Sequence, residues 1–215
     1  MLMESNKTII YVTSNRENEN FEKEIRANIL GNCGGLPIIS VSQKPINFGK
    51  NICVGDVGHS YLNEFRQILI GAKEAKTEYL VFCEADFLYP PEYFQFDPPG
   101  GDLYRYNNVW LMYRHRGAIY YQKRFSNGAQ IAKREFIINE LEQYLDGFPQ
   151  WANGRFKINK EDYNGAIFQL FGGELACVSF KTGNGMTQSA TSRYRKRTYL
   201  PYWGNAQDLF DKYLK

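Results

Sequence analysis

The chain of 215 residues has a mass of 25.0 kDa, long enough to bury a core without disulfide or metal staples, which excludes a mini-protein. It is 43% hydrophobic and 23% charged, with a mean hydropathy of -0.49, values of a globular domain rather than a charge-rich disordered chain. The net charge of +3 hides an asymmetry: residues 1–100 carry 9 Lys/Arg against 13 Asp/Glu, and residues 101–215 carry 17 against 10. A basic second half suits a polyanionic partner, since neutralising phosphates releases counterions, although a merely solvated basic surface has the same composition.

No apolar run reaches the roughly 18 residues of a membrane span, and Met1-Leu2-Met3-Glu4-Ser5 opens no signal-peptide core. A cytoplasmic chain without a membrane span is expected. Cys33, Cys53, Cys83 and Cys177 form no C-x-x-C pair and are expected to be reduced core thiols.

In chain order, Thr8–Thr13 is a β-branched apolar run, which predicts a first strand. Phe21, Ile25 and Ile29 then recur at helical spacing, with Gly31 placed to end the helix. Pro37–Ser42 predicts a second strand, and Gly49, Gly55 and Gly58 mark a loop. From about Ser60, Leu62, Phe65, Ile68, Leu69 and Ala72 line one face of a second helix, and Tyr79–Cys83 predicts a buried third strand. This alternation implies a mostly parallel sheet flanked by helices, whose ligands bind beyond the carboxyl ends of the strands. Those ends are Thr13–Arg16, Ser42–Lys44 and Glu84–Asp86.

The second half has Pro- and Gly-rich breaks near residues 90–101, then aromatic runs over Tyr104–Tyr113 and Gly117–Gln122 that suggest a hairpin. A helix is expected over about Gln130–Leu145, a strand over Glu174–Phe180, and an aromatic turn and short helix at the end. The chain is expected to be one domain over residues 1–215, with a strand-and-helix half over residues 1–100 and an aromatic, basic half over residues 101–215.

Glu84-Ala85-Asp86 follows the third strand directly. Two carboxylates at the end of a buried strand can share a hard divalent cation, which can in turn hold a diphosphate; the alternative is a cap and a surface acid. Lys44, Lys50 or Arg66 would assist with phosphates. The Gly-rich patterns of dinucleotide folds and P-loops are absent, as is a G-x-S-x-G elbow. His59 and His115 are too few for an imidazole-built zinc centre.

Several stretches together carry a resemblance: Ile9–Asn15, Ile39–Ile46, Asn51–Gly55, Phe65–Leu69 with Gly71, Val81–Pro90 and Tyr106–Trp110. Over most of its length the chain resembles the glycosyltransferase-A-fold enzymes of phage, metavirome and bacterial genomes, a group related to family 2. That group includes enzymes that glycosylate hydroxymethylpyrimidines in viral DNA. The resemblance implies an α/β, Rossmann-like glycosyltransferase-A fold and a Mn2+- or Mg2+-dependent hexosyl- or pentosyltransferase using a nucleotide-sugar donor, a UDP-sugar for choice. The implied acceptor is hydroxymethylpyrimidine in phage DNA. A saccharide or other cell-surface acceptor, and a non-catalytic nucleotide-sugar or nucleic-acid binder, remain as alternatives.

By position, the resemblance implies that Thr13 and Asn15 lie beside the nucleotide, that Ser42, Gln43, Ser60 and Arg66 complete the donor wall, and that Glu84 and Asp86 bind the metal. Tyr106, Asn108 and Trp110 would lie near sugar or acceptor, making residues 1–100 the nucleotide-sugar donor half and residues 101–215 the acceptor half. Independently of the resemblance, the basic and aromatic second half offers Arg193, Arg195 and Trp203 for acceptor contacts. Asp86, Glu161 and Asp162 are the candidate catalytic carboxylates, Glu161 and Asp162 as the base that an inverting transfer needs, with Asp102 close behind; the alternative for these last three is an ordinary surface acid. Two departures stand out. Ala85 replaces the usual central His, and Lys181-Thr182-Gly183-Asn184-Gly185-Met186-Thr187 replaces an Arg-His-Gly-x-Asn-x-Thr segment, so a histidine ligand gives way to Thr182. Water, Asn184 or a donor phosphate would then fill that place.

Overall fold

The computed structural model describes residues 6–154, 167–184 and 195–215. Its main sheet is built around β1 (Lys7–Thr13), every residue of which is buried. β2 (Ile38–Ser42) and β4 (Tyr79–Glu84) run parallel to β1 on either side, and β3 (Lys50–Cys53) runs parallel to β2. Alternate residues of β1 serve two cores, as expected of a parallel strand covered on both faces. Ile10 and Val12 pack with Leu62, Phe65 and Ile68 of α2 (Tyr61–Glu74) and with Ile137 and Leu141 of α4 (Arg134–Tyr144). Ile9 and Tyr11 pack with Phe21, Ile25 and Ile29 of α1 (Glu19–Asn32). Helix α2 lies close to the sheet at Gly71, where a Cβ would come within 2.9 Å of the Ile10 side chain.

The first half departs from expectation in three places. Gly31 lies inside α1, and the turn comes later, at Gly34 and Gly35, both at positive φ. The glycine-punctuated loop contains strand β3, whose pairing with β2 supplies what its short sequence does not signal. Cys53 on that edge strand is exposed, unlike the three buried cysteines, so the expectation of four core thiols holds for Cys33, Cys83 and Cys177 only.

Strands from the second half complete the same sheet. β9 (Gln130–Lys133) lies antiparallel between β4 and β6 (Leu103–Tyr106), and β10 (Gln169–Phe171) borders β6. The expected helix from Gln130 thus begins only at Arg134, because Gln130, Ile131 and Ala132 are buried against β4 and β6. A second sheet has the order β12 (Lys196–Arg197), β8 (Tyr120–Arg124), β7 (Val109–Tyr113), β11 (Cys177–Lys181) and β5 (Phe87–Leu88). β7 and β8 form the expected antiparallel pair. Helices α3 (Pro91–Gln95) and α5 (Ala206–Tyr213) complete the described elements named here. Among the described residues no helix is long and apolar enough to cross a membrane.

The chain passes from the main sheet to the second sheet between β4 and β5, across Glu84-Ala85-Asp86. Strand β11 pairs antiparallel with β5, Ser179 opposite Phe87, and the Phe180 N–H donates to the Asp86 carbonyl at 2.7 Å. That register brings Lys181 to the acidic triplet.

Candidate functional site

The carboxyl ends of β1, β2 and β4, the start of α2 and the end of β11 surround one open cleft. Thr13, Gln43, Ser60, Glu84 and Asp86 all line it, so these five expected residues are brought together. Ser60 caps α2, its hydroxyl accepting from the Asn63 N–H at 3.1 Å. Gln43 donates through its amide to the Gly58 carbonyl.

The cleft floor is acidic and already organised. The Thr13 hydroxyl donates to Glu22 at 2.9 Å and accepts from the Asn15 N–H at 2.9 Å. Glu22 is only 2% exposed; burial pushes its carboxyl up, opposed by the Thr13 hydrogen bond and by Arg26. Its pairing with Arg26 at 3.3 Å spans one helical turn. Nearer the triplet, burial first and then the charges of Glu64 and Asp86 push the Glu84 carboxyl up to about 8, with Lys181 and Lys123 opposing. Glu84 lies so tightly against Gly128 that a Cβ there would approach the carboxyl carbon to 2.5 Å.

Lys181 is the main feature that sequence reasoning missed. Its ammonium donates to Asp86 at 3.0 Å, and the two side chains are only 15% and 20% exposed. Burial alone would lower the ammonium pKa, but Asp86 and Glu84 outweigh it and the net shift is upward. A signal was present: a lysine closing the apolar run Cys177–Phe180 needs a buried partner. Glu17 and Glu64 also line the cleft unforeseen. Thr182, placed by sequence where a metal-binding histidine would stand, instead donates to Glu17 at 2.7 Å, and the Asn184 amide donates to the same carboxylate at 3.2 Å.

Other expected residues have different work. Asn15, at φ 52, accepts from the Gln43 and Lys44 N–H groups and borders an adjoining hollow with Arg16, Lys44 and His59. The fully buried Ser42 hydroxyl donates to the Lys44 carbonyl at 2.6 Å. Arg66 does not join the donor wall; it donates to the carbonyls of Leu145, Phe148 and Pro149, beyond α4. Lys50 pairs with Glu74 at 2.6 Å and Asp102 with Lys133 at 3.3 Å. Tyr106 is fully buried and donates to the Leu175 carbonyl, while the Asn108 side-chain oxygen accepts from the indole of Trp110, itself 2% exposed. Trp203 donates to the Ala176 carbonyl at 2.6 Å. None of these lines the cleft: tertiary packing absorbs the aromatic residues into the core, as their apolar surface dictates. Arg195 is exposed beside β12. Glu161, Asp162 and Arg193 lie outside the described residues.

A divalent ion held by one or two carboxylates together with substrate phosphates is ordinary magnesium chemistry. Here, however, Asp86 is already paired with an ammonium in a poorly exposed position. A dication on its other oxygen would stand within a few ångström of that like charge. Among the described residues, no group of three or more His, Cys, Asp or Glu side chains is arranged to hold a metal. The donor set present is a carboxylate pair served by a protein cation, and it does not fit Mn2+ or Mg2+ unless Lys181 is displaced.

No protein-family model and no curated protein matches the sequence. Solved structures do. The inositol-1-phosphate CTP transferase of T. maritima is 10% identical, with a TM-score of 0.51 over 86% of this chain and 93% of that one. S. aureus TarS 1-349 is 9% identical, with a TM-score of 0.51 over 81% of this chain and 60% of that one. The chain has the glycosyltransferase-A, Rossmann-like fold. TarS 1-349 in complex with UDP-GlcNAc gives a TM-score of 0.50 at 10% identity, over 88% of this chain and 61% of that one. At such identities the glycosyltransferase-A likeness is one of fold, shared with nucleotidyltransferases.

Proposed function

We propose that the chain is a glycosyltransferase that binds a nucleotide-sugar, a UDP-sugar for choice, in the cleft at the ends of β1, β2 and β4. The observation that carries this reading is the gathering of Thr13, Gln43, Ser60, Glu84 and Asp86 around one opening where the two sheets meet. The fold supports it, and a structure of that fold, TarS, is in complex with UDP-GlcNAc. The reaction displaces a nucleoside diphosphate from the anomeric carbon, so the cleft must stabilise leaving-group charge and accept the proton of the attacking hydroxyl. Arg16 and Lys181 supply positive charge along the cleft. Of its carboxylates, Glu84 is pushed up to about 8 by burial, so at neutral pH it mostly holds a proton and accepts that of the hydroxyl through its ionised fraction.

For the acceptor, a hydroxymethylpyrimidine in DNA is favoured over a saccharide by one surface. No acidic residue occurs between Asp102 and Glu135. Strand β12 pairs with β8, Lys196 opposite Tyr121 and Arg197 opposite Tyr120, so Arg195, Lys196 and Arg197 join the edge of the strand that ends at Lys123 and Arg124, with Arg114 and Arg116 following β7. Of these charges, Lys123 is near enough to Glu84 to oppose the rise of its pKa. A phosphate backbone matches such a face.

The test is to incubate the protein with a panel of activated sugars and either hydroxymethylpyrimidine DNA or saccharides. Nucleoside diphosphate release with a hexose or pentose mass gained by the DNA is expected. Gain on a saccharide alone replaces the acceptor. Pyrophosphate release from a nucleoside triphosphate would mean nucleotidyl transfer instead, and binding without turnover a non-catalytic protein.

A further inference from the structure

We propose that Lys181 supplies the positive charge that a divalent ion would otherwise bring to Glu84 and Asp86, so that the cleft binds a nucleoside diphosphate group without metal. This rests on the nucleotide-sugar reading of the same cleft. Lys181 is held there by the fold: the β5–β11 pairing and the Phe180 N–H on the Asp86 carbonyl fix its backbone. Its ammonium is 3.0 Å from Asp86 and feels Glu84 as well.

The residues that would complete a metal shell are otherwise disposed. Ala85 has no side-chain donor atom, and the Thr182 hydroxyl and Asn184 amide both donate to Glu17. An ammonium carries three N–H donors. With one directed at Asp86, the others can reach phosphate oxygens in the cleft that Lys181 lines. In transfer, the acceptor oxygen bonds to the anomeric carbon while the bond to the diphosphate oxygen breaks. Its electron pair leaves with the diphosphate beside the Lys181 ammonium, and the hydroxyl proton passes to a cleft carboxylate. Charge is thus balanced by a fixed protein cation, which needs no assembly step.

The full chain, stripped of metal, is titrated with UDP, GDP, CDP, ADP and TDP in EDTA and in Mn2+, and Mn2+ binding alone is followed by electron paramagnetic resonance. The diphosphate that binds should do so equally in both buffers. Lys181→Met should weaken it about tenfold in EDTA, the scale of a lost charge-assisted hydrogen bond, while Lys181→Arg retains most of the affinity. The native chain should leave Mn2+ free, and Lys181→Met should gain a Mn2+ site that Asp86→Asn, added to it, removes. Circular dichroism reports whether each variant folds, and Lys181→Arg serves if the methionine variant does not. Diphosphate binding that requires Mn2+, or a native Mn2+ site lost in Asp86→Asn, overturns the proposal while leaving the functional reading intact. If no diphosphate binds in either buffer the functional reading fails, and the Mn2+ measurements alone then support or overturn the role of Lys181.

Discussion

The side-chain oxygen of Asn15 accepts from the backbone N–H groups of Gln43 at 2.9 Å and Lys44 at 2.8 Å. One side chain thereby ties the loop after β1 to the loop after β2, and Ser14, Arg16 and Gln43 of these loops line the cleft. Asn15 also occupies a left-handed backbone position, φ 52, which asparagine tolerates better than most residues. Asn15→Ala should cost about 2 kcal/mol, from two released N–H groups and an alanine at positive φ. Urea denaturation measures this, and an unchanged midpoint would contradict the tie.

Gly128 is fixed by close approach rather than by a turn. A Cβ there would meet the Glu84 carboxyl at 2.5 Å. Gly128→Ala should push the flexible Glu84 carboxyl aside and destabilise the chain by about 1 kcal/mol, the low end of what overpacking costs. Paired with Glu84→Ala, which removes the obstructing atoms, the two changes should cost less together than their sum. Simple additivity in thermal melts would show that the carboxylate does not press on Gly128.

Burial, with the charges of Glu64 and Asp86, pushes the Glu84 carboxyl in the folded chain up to about 8 from an ordinary 4.5. Between those values the folded chain keeps a proton that the unfolded chain has released, so stability falls as pH rises through that window. Glu84→Gln has no proton to lose. Relative to the native chain, the variant should gain stability on going from about pH 5 to about pH 9, on the order of 3 kcal/mol. A difference that stays flat across this range would place the carboxyl in a wetter, ordinary environment.

If the basic face of β8 and β12 meets phosphates, removing two of its charges should matter uniformly across DNA sequences. Arg124→Ala with Lys196→Ala should reduce the slope of log affinity against log salt by about 2, near 0.9 for each phosphate no longer neutralised. Filter binding at several salt concentrations reads this. An unaltered slope moves the acceptor elsewhere.

Much of the first half is legible because its signals are local. The repeat of Phe21, Ile25 and Ile29, the α2 stripe from Leu62 to Ala72, and the apolar runs of β1 and β4 each specify an element without reference to distant residues. The place of Glu84 and Asp86 at a strand end followed from the same pattern. β3 and β9, four residues each, were not legible: such segments are too short to show a period, and pairing with β2, or with β4 and β6, makes them strands. The aromatic Tyr106 and Trp110, expected at the site, were drawn inward because burying a ring outweighs presenting it.

The order of β1, α1, β2, α2 and β4, the uneven charge and the two carboxylates at the end of β4 belong to the sequence by itself, since neighbouring side chains dictate them. That a lysine 95 residues away closes on Asp86 was decided by the tertiary structure alone. Strand register is a long-range agreement between β5 and β11, and only that agreement determines which buried charge meets its opposite.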